Sequence, residues 1–119
     1  MKNNNVIQKK SFDFALSIVD LYKKLIEQKK FILSKQLLRN ETSIGANVEE
    51  TLAGQSKKDF IAKMLLASKE AIETKYWLKL LHEGQIVKRD FTIYIKSADE
   101  IINILTTIVK TSQTSISNS

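Results

Sequence analysis

The stretch "RNETSIGANVEE", residues 39–50, decides how the chain is read. Leu37, Ile44 and Val48 recur on a helical period through it, and Leu38, Gly45 and Leu52 form a neighbouring line. A helix from about Leu33 to Ala53 follows. Yet Gly45 sits in its middle, where glycine costs roughly 1 kcal/mol relative to alanine, so the expectation is that another helix approaches closely there. A third line, Gln36, Asn40, Ser43, Asn47, Glu50 and Gly54, is polar and small, unlike ordinary core.

Working outward, Gly54 closes this helix and "SKKD" at 56–59 opens the next, with Ser56 as cap and Asp59 as its partner in a capping box. The third segment runs to about His82 and is closed by Gly84. Its main stripe is Phe60, Met64, Ala67, Ala71, Leu78 and Leu81. Ile61, Leu65, Leu66, Ile72, Tyr76, Trp77 and Leu80 occupy other faces, and a helix apolar on most sides must be covered on most sides.

The first segment, from a cap at Ser11, carries Ala15, Ile18, Val19, Tyr22, Leu25 and Ile26 as its stripe, widened by Phe14 and Leu21. The fourth, from about Asp90 to Lys110, holds three heptad series: Phe91, Ala98, Leu105; Tyr94, Ile101, Ile108; and Ile95, Ile102, Val109. Its β-branched residues suit a strand, but the heptads outweigh propensity. Ile93 and Ile104 fall off the stripe. Long helices with short connections predict an all-α, antiparallel up-down-up-down four-helix bundle over 11–110, an N-terminal arm over 1–10 and a polar flexible tail over 111–119.

At 119 residues with 43% apolar and 27% charged residues, the chain suits one globular domain. With no proline and no cysteine, helices are uninterrupted, and disulfides, thiolate metal sites and cysteine nucleophiles are excluded. No apolar run follows "MKNNNVIQKK", and "IINILTTIV" is far shorter than the roughly 20 residues of a membrane span, so the expected compartment is the cytoplasm and no membrane contact is expected. The net charge of +6 rests almost wholly on lysine, with Arg39 and Arg89 the only arginines, which argues against base-specific readout. Lys9, Lys10, Lys23, Lys24, Lys29, Lys30, Lys57 and Lys58 are the candidates for a nucleic-acid surface; the alternative is that they are solvated faces.

Chemistry finds little support. His82, the only histidine, ends the third segment and suits capping of its last carbonyls. Glu49 and Glu50 are adjacent and diverge on a helix, so they do not make an acid and base pair. No serine has a patterned base, and no spacing suggests a metal or a phosphate-cradling loop. No catalytic, cofactor or metal residue is expected. Tyr76 and Trp77 could stack on bases but sit among leucines, as core or interface residues do. If the second and third segments form a hairpin turning near residue 55, Arg39 lies level with Ala71 to Glu73. A polar seam of Arg39, Ser43, Asn47, Glu50 and Glu73 is then expected, between helices or between subunits.

"LSKQLLRNETSIGANVEE" followed by "SKKDFIAKMLLASKEAIETKYWLKLL" resembles the four-helix-bundle proteins encoded within bacterial 23S ribosomal RNA intervening sequences, over about residues 9–110. The resemblance implies matching roles at Arg39, Ser43, Asn47, Glu50 and Glu73. Where such proteins usually show Arg-Ser-Gly-Thr-Ser, this chain has Arg39-Asn40-Glu41-Thr42-Ser43, with an added acid. The family is similar to accessory proteins of diversity-generating retroelements, which form pentameric rings and cooperate with a reverse transcriptase and its RNA. The resemblance therefore implies a homo-oligomer, a pentamer by that likeness, with RNA, DNA or a nucleic-acid enzyme as partner. The interface would draw on Phe14, Leu21, Gly45, Leu66, Tyr76, Trp77, Leu80, Ile93 and Ile104. The readings are then a non-enzymatic ring-forming accessory of nucleic acid, or alternatively a structural, protein-binding adaptor.

Overall fold

Without proline, and with glycine confined to three positions, the backbone has little reason to leave the helix except at the turns. The computed structural model describes residues 2–51 and 56–117 and consists of four helices: α1 Lys2–Glu27, α2 Phe31–Glu50, α3 Lys57–Glu83 and α4 Thr92–Ser117. The expected termination at Gly54 lies outside the described residues. The helices pack in a cycle, α1 on α2, α2 on α3, α3 on α4 and α4 on α1, while neither α1 and α3 nor α2 and α4 touch. The body measures 52 × 23 × 21 Å, a four-helix bundle with α1 and α3 at opposite corners.

Side-chain bonds register the neighbours along their length. Gln8 Nε2 donates to Glu49 Oε1 at 3.3 Å between α1 and α2, Lys63 meets Glu50 at 2.8 Å between α2 and α3, and Lys75 meets Asp99 at 2.7 Å between α3 and α4. Inside, Leu37, Ile44 and Val48 of α2 meet Met64, Ala67, Ala71, Leu78 and Leu81 of α3 in one core. Ala98, Ile101, Leu105, Ile108 and Val109 come from α4 and Phe91 from the residue just before it, with Tyr94, Ile95 and Ile102 packed at the margin.

The α1 stripe is centred differently from the expectation. Ile7, Phe14, Ile18, Leu21 and Leu25 are buried, and Ala15, Val19, Tyr22 and Ile26 are only half-buried. Phe14 and Leu21 are thus core, not interface: the heptad Ile7, Phe14, Leu21 runs down the inner line, and the same periodicity extends the helix back to Lys2. The N-terminal arm is therefore helical, and Ser11 is not a cap but a buried mid-helix residue whose hydroxyl donates to Gln8 O at 3.2 Å. Likewise α4 continues through the expected tail to Ser117, with Ser112 buried. Ile104 is half-buried against the core instead of free.

The turns explain the ends. After α1, Lys30 N donates to Leu25 O and Lys29 N to Ile26 O, both at 2.9 Å, a Schellman closure whose left-handed position is Lys29 with φ 60° in place of the usual glycine. Ser56 caps α3 by accepting from the Asp59 amide at 3.2 Å. At the other end of α3 a Cβ on Gly84 would lie 2.6 Å from Leu80 O, so only glycine fits. His82 does not cap a carbonyl; its Nδ1 accepts the Phe91 amide at 3.2 Å, and Gln85 Nε2 donates to His82 O instead. Asp90 Oδ1 accepts from Thr92 N at 2.8 Å and starts α4.

Gly45 departs from the expectation most clearly. A Cβ built there meets nothing within 4 Å, so no helix of the same chain approaches it closely. It lies on the flank of α2, well off the buried line through Leu37, Ile44 and Val48, and its helix penalty is not offset by packing within the chain. Gly45→Ala should therefore stabilise the isolated chain by about 0.5–1 kcal/mol in urea unfolding; a destabilised variant would show a crowding that this packing does not contain.

Candidate functional site

A seam between α2 and α3 is polar, but its members differ from those expected. On α2, Asn40 follows Leu37 by one turn and is fully buried. On α3, Glu70, Thr74 and Trp77 share a face at helical spacing. Asn40 Nδ2 donates to Glu70 Oε2, Trp77 Nε1 donates to Asn40 Oδ1 at 3.1 Å, and Thr74 Oγ1 donates to Glu70 O at 2.8 Å. Trp77 is thus a half-buried intrachain anchor, tied to its own core and not free for a partner.

The five expected seam residues do not assemble. Arg39 is exposed and its guanidinium goes to Gln36 Oε1 at 2.9 Å, on its own helix. Asn47 Nδ2 donates back to Ser43 O at 2.8 Å and to Ser43 Oγ at 3.3 Å, a local bond within α2. Only Glu50 crosses to α3, through its ion pair with Lys63. Glu73 is half-buried, with no ion pair among the described residues.

Glu41, one residue beyond Asn40, falls on the core line with Leu37, Ile44 and Val48 and is 1% exposed. Its Oε1 has no hydrogen-bond partner. Burial pushes its carboxyl up to about 8, so at neutral pH the folded chain holds it mostly protonated.

The outer surface carries two further features. Along α3, Leu65, Leu66, Ile72, Tyr76 and Leu80 are all exposed, Leu66 by 50% and Tyr76 by 58%. At the opposite corner α1 exposes Phe12 and Leu16, by 61% and 56%, one turn apart. Ile93 is open at the start of α4.

The cations divide into spent and free. Lys9 pairs with Asp13, Lys10 with Glu100 and Lys24 with Asp20, each at 2.9 Å. Lys10 and Lys24 hold Glu100 and Asp20 below the usual carboxylate range, chiefly through these hydrogen bonds. Lys57 donates to Ser115 Oγ at 3.1 Å. Lys57 and Lys58 start α3, whose 27 residues span about 40 Å, so they lie far from Lys29 and Lys30. The eight candidate lysines therefore make no single face. Lys29 and Lys30 instead flank a groove of about 310 Å³ with Phe31, Ile32, Leu33 and Ile86, on the same loop as Lys88 and Arg89.

No group of three or more metal-ligating side chains occurs among the described residues, and no helix there is long and apolar enough to cross a membrane. A cleft of about 180 Å³ between α1 and α4 is lined by Lys10, Asp13, Ser17, Ser97 and Glu100, with Lys10 and Glu100 tied to each other.

Four helices with this core match the family model of the 23S rRNA-intervening sequence protein over residues 3–107. The chain belongs to that family. A crystal structure of a protein of unknown function from the S23 ribosomal protein family of Bacteroides thetaiotaomicron is similar at 46% identity. The alignment covers 91% of this chain and 98% of that one, with a TM-score of 0.85. No curated protein matches the chain. For this family member, the Asn40, Glu70 and Trp77 network was hidden from sequence reasoning because its signal is a cross-helix register, not a motif. The grouping of Lys29 and Lys30 with Ile86 was hidden because it joins two separate turns.

Two consequences follow from the seam. Trp77→Phe leaves the buried Asn40 Oδ1 without its donor and should cost about 1–3 kcal/mol, read as a lowered urea midpoint. For Glu41 the folded-state value lies above the unfolded one, so its contribution is fully present below about pH 4.5 and is lost as pH rises through about 8. Stability should fall as pH rises across that window. Glu41→Gln should flatten the profile, and an unchanged slope in that variant would assign the pH dependence to another group.

Proposed function

We propose that this family member is a non-enzymatic, cytoplasmic bundle of antiparallel up-down-up-down helices that self-associates into a ring and offers free cations to nucleic acid or to an enzyme working on it. The observation carrying the reading is the placement of two unlike apolar faces, on α1 and on α3, at opposite corners of the bundle. A two-fold contact uses the same patch on both copies and leaves one of the two faces in water. A heterologous contact, the α3 stripe of one copy against Phe12 and Leu16 of the next, covers both and closes when the faces are suitably inclined. Five subunits is the count suggested by the likeness to retroelement accessory proteins. The up-and-down arrangement is supported by the cross-helix bonds, which join early residues of one helix to late residues of its neighbour: Gln8 with Glu49, Lys57 with Ser115.

Repetition also bears on nucleic acid. A charge of +6 on one chain is modest, but a ring multiplies it, and affinity for phosphate backbones then falls steeply with salt without base specificity. Unpaired cations at the α1–α2 turn and the α3–α4 loop supply that surface. An adaptor reading draws on the same apolar faces, with a foreign chain in place of a second copy.

Complementation separates these. Light scattering on the purified chain should give a mass several times 13.6 kDa. A variant with Leu66→Asp and Tyr76→Asp, and another with Phe12→Asp and Leu16→Asp, should each be monomeric and folded. Mixed, they should form a one-to-one heterodimer, because each retains the face that the other lost. A monomeric wild type would favour the adaptor, and mutants that fail to complement would remove the heterologous contact.

A further inference from the structure

We infer that the tip formed by the α1–α2 turn and the α3–α4 loop takes single-stranded nucleic acid, a base lying on Phe31 while the surrounding cations hold the phosphates. The inference rests on the nucleic-acid reading above and adds to it a site and a class of strand. Lys29, Lys30, Lys35, Lys88 and Arg89 lie in these two connections or next to them, and with the flanking acids Glu27, Glu83 and Asp90 counted the tip still carries a net positive charge. None of the five enters an ion pair among the described residues, whereas Lys9, Lys10, Lys24, Lys63 and Lys75 along the sides of the bundle do. Arg89 contributes to lowering the Asp20 carboxyl, which places it beside α1 at this end.

Inside this cationic rim lies apolar surface that no neighbouring helix covers. Phe31 is 48% exposed and Ile32 80%, and together with Leu33 and Ile86 they line the groove of about 310 Å³. Aromatic rings set among cations bind single strands because every base has a stackable face, while a duplex keeps its bases stacked internally.

Other occupants fit less well. A second copy meeting tip to tip would set two net-positive surfaces against each other. An acidic amphipathic helix needs anchors over two or more turns, and the apolar floor here is a single cluster from the first turn of α2 and one loop residue. In a ring with the bundles side by side, the tips fall on one rim, where successive subunits could follow one strand.

Binding is measured by anisotropy at two salt concentrations with labelled oligo(U) of about 20 nucleotides, a duplex of that length and polyglutamate. Oligo(U) should be preferred several-fold over both. Phe31→Ala should weaken oligo(U) about tenfold with little effect on the duplex, consistent with loss of one stacked base. Phe31→Trp should retain binding, and Lys29→Glu with Lys30→Glu should weaken both nucleic acids. Circular dichroism on each variant shows that the fold is kept. Unchanged affinity in Phe31→Ala, or duplex bound as tightly as oligo(U), overturns the inference and leaves the broader nucleic-acid reading standing. Preference for polyglutamate points to an acidic protein partner and overturns it too. Wild-type protein that binds neither nucleic acid at low salt removes the broader reading and the inference together.

Discussion

α3 has neighbours on only two sides, α2 and α4, yet it carries large apolar residues on nearly every face. The inner line, Met64, Ala67, Ala71, Leu78 and Leu81, is covered by the bundle, and Trp77 turns its ring inward toward Asn40. Leu65, Leu66, Ile72, Tyr76 and Leu80 remain exposed on the side away from the core. Apolar area left in water forgoes about 25 cal/mol per Å², so such a row is a standing incentive to association. The square arrangement of the bundle bears on the form of that association, because the pair Phe12 and Leu16 sits at the diagonal corner.

The core itself is not tuned for maximal stability. Asn40 and Glu41 stand side by side on α2, both buried, with opposite outcomes. Asn40 faces α3 and finds both a donor in Trp77 and an acceptor in Glu70, so its burial is compensated and it ties the two helices in one register. Glu41, rotated toward the centre, finds no partner for Oε1 and remains acceptable only by holding a proton. One of these neighbours stabilises a helix pair, and the other introduces a pH-sensitive weakness.

Helix identity and most of the core were legible from periodicity alone, since the lines through Leu37, Ile44 and Val48, through Met64 and Leu78, and through Phe91, Ala98 and Leu105 all proved to be buried. What periodicity could not settle was which of two adjacent lines is central. On α1 the line through Ala15 and Tyr22 looked as good as that through Phe14 and Leu21, and the resolution came from Ile7, which extends the second line into residues that composition marked as a polar arm. Gly45 misled for a related reason: a glycine within a helix signals close approach only if it faces a neighbour, and the facing direction is a tertiary fact. Arg39 and Glu73 share a height without sharing a face.

Charge follows the same logic of placement over composition. Lysines along α1 are neutralised by acids one turn away, as Lys9 with Asp13 and Lys24 with Asp20, or across to α4, as Lys10 with Glu100. Such exposed pairs contribute little to stability, with a median of about 0–1 kcal/mol. Their effect is on the long-range field, since a paired lysine offers far less to a distant phosphate than a free one. At the turns helix geometry provides no i, i+4 partner, and Lys29, Lys30, Lys88 and Arg89 enter no ion pair among the described residues. The same turns expose Phe31, Ile32 and Ile86, because a helix end is covered on fewer sides than its middle. Free cations and uncovered apolar groups thus meet at the tip for one geometric reason, the lack of neighbours, and that coincidence is what makes an end of the bundle, and not its flank, the surface suited to a polyanion with flat apolar bases.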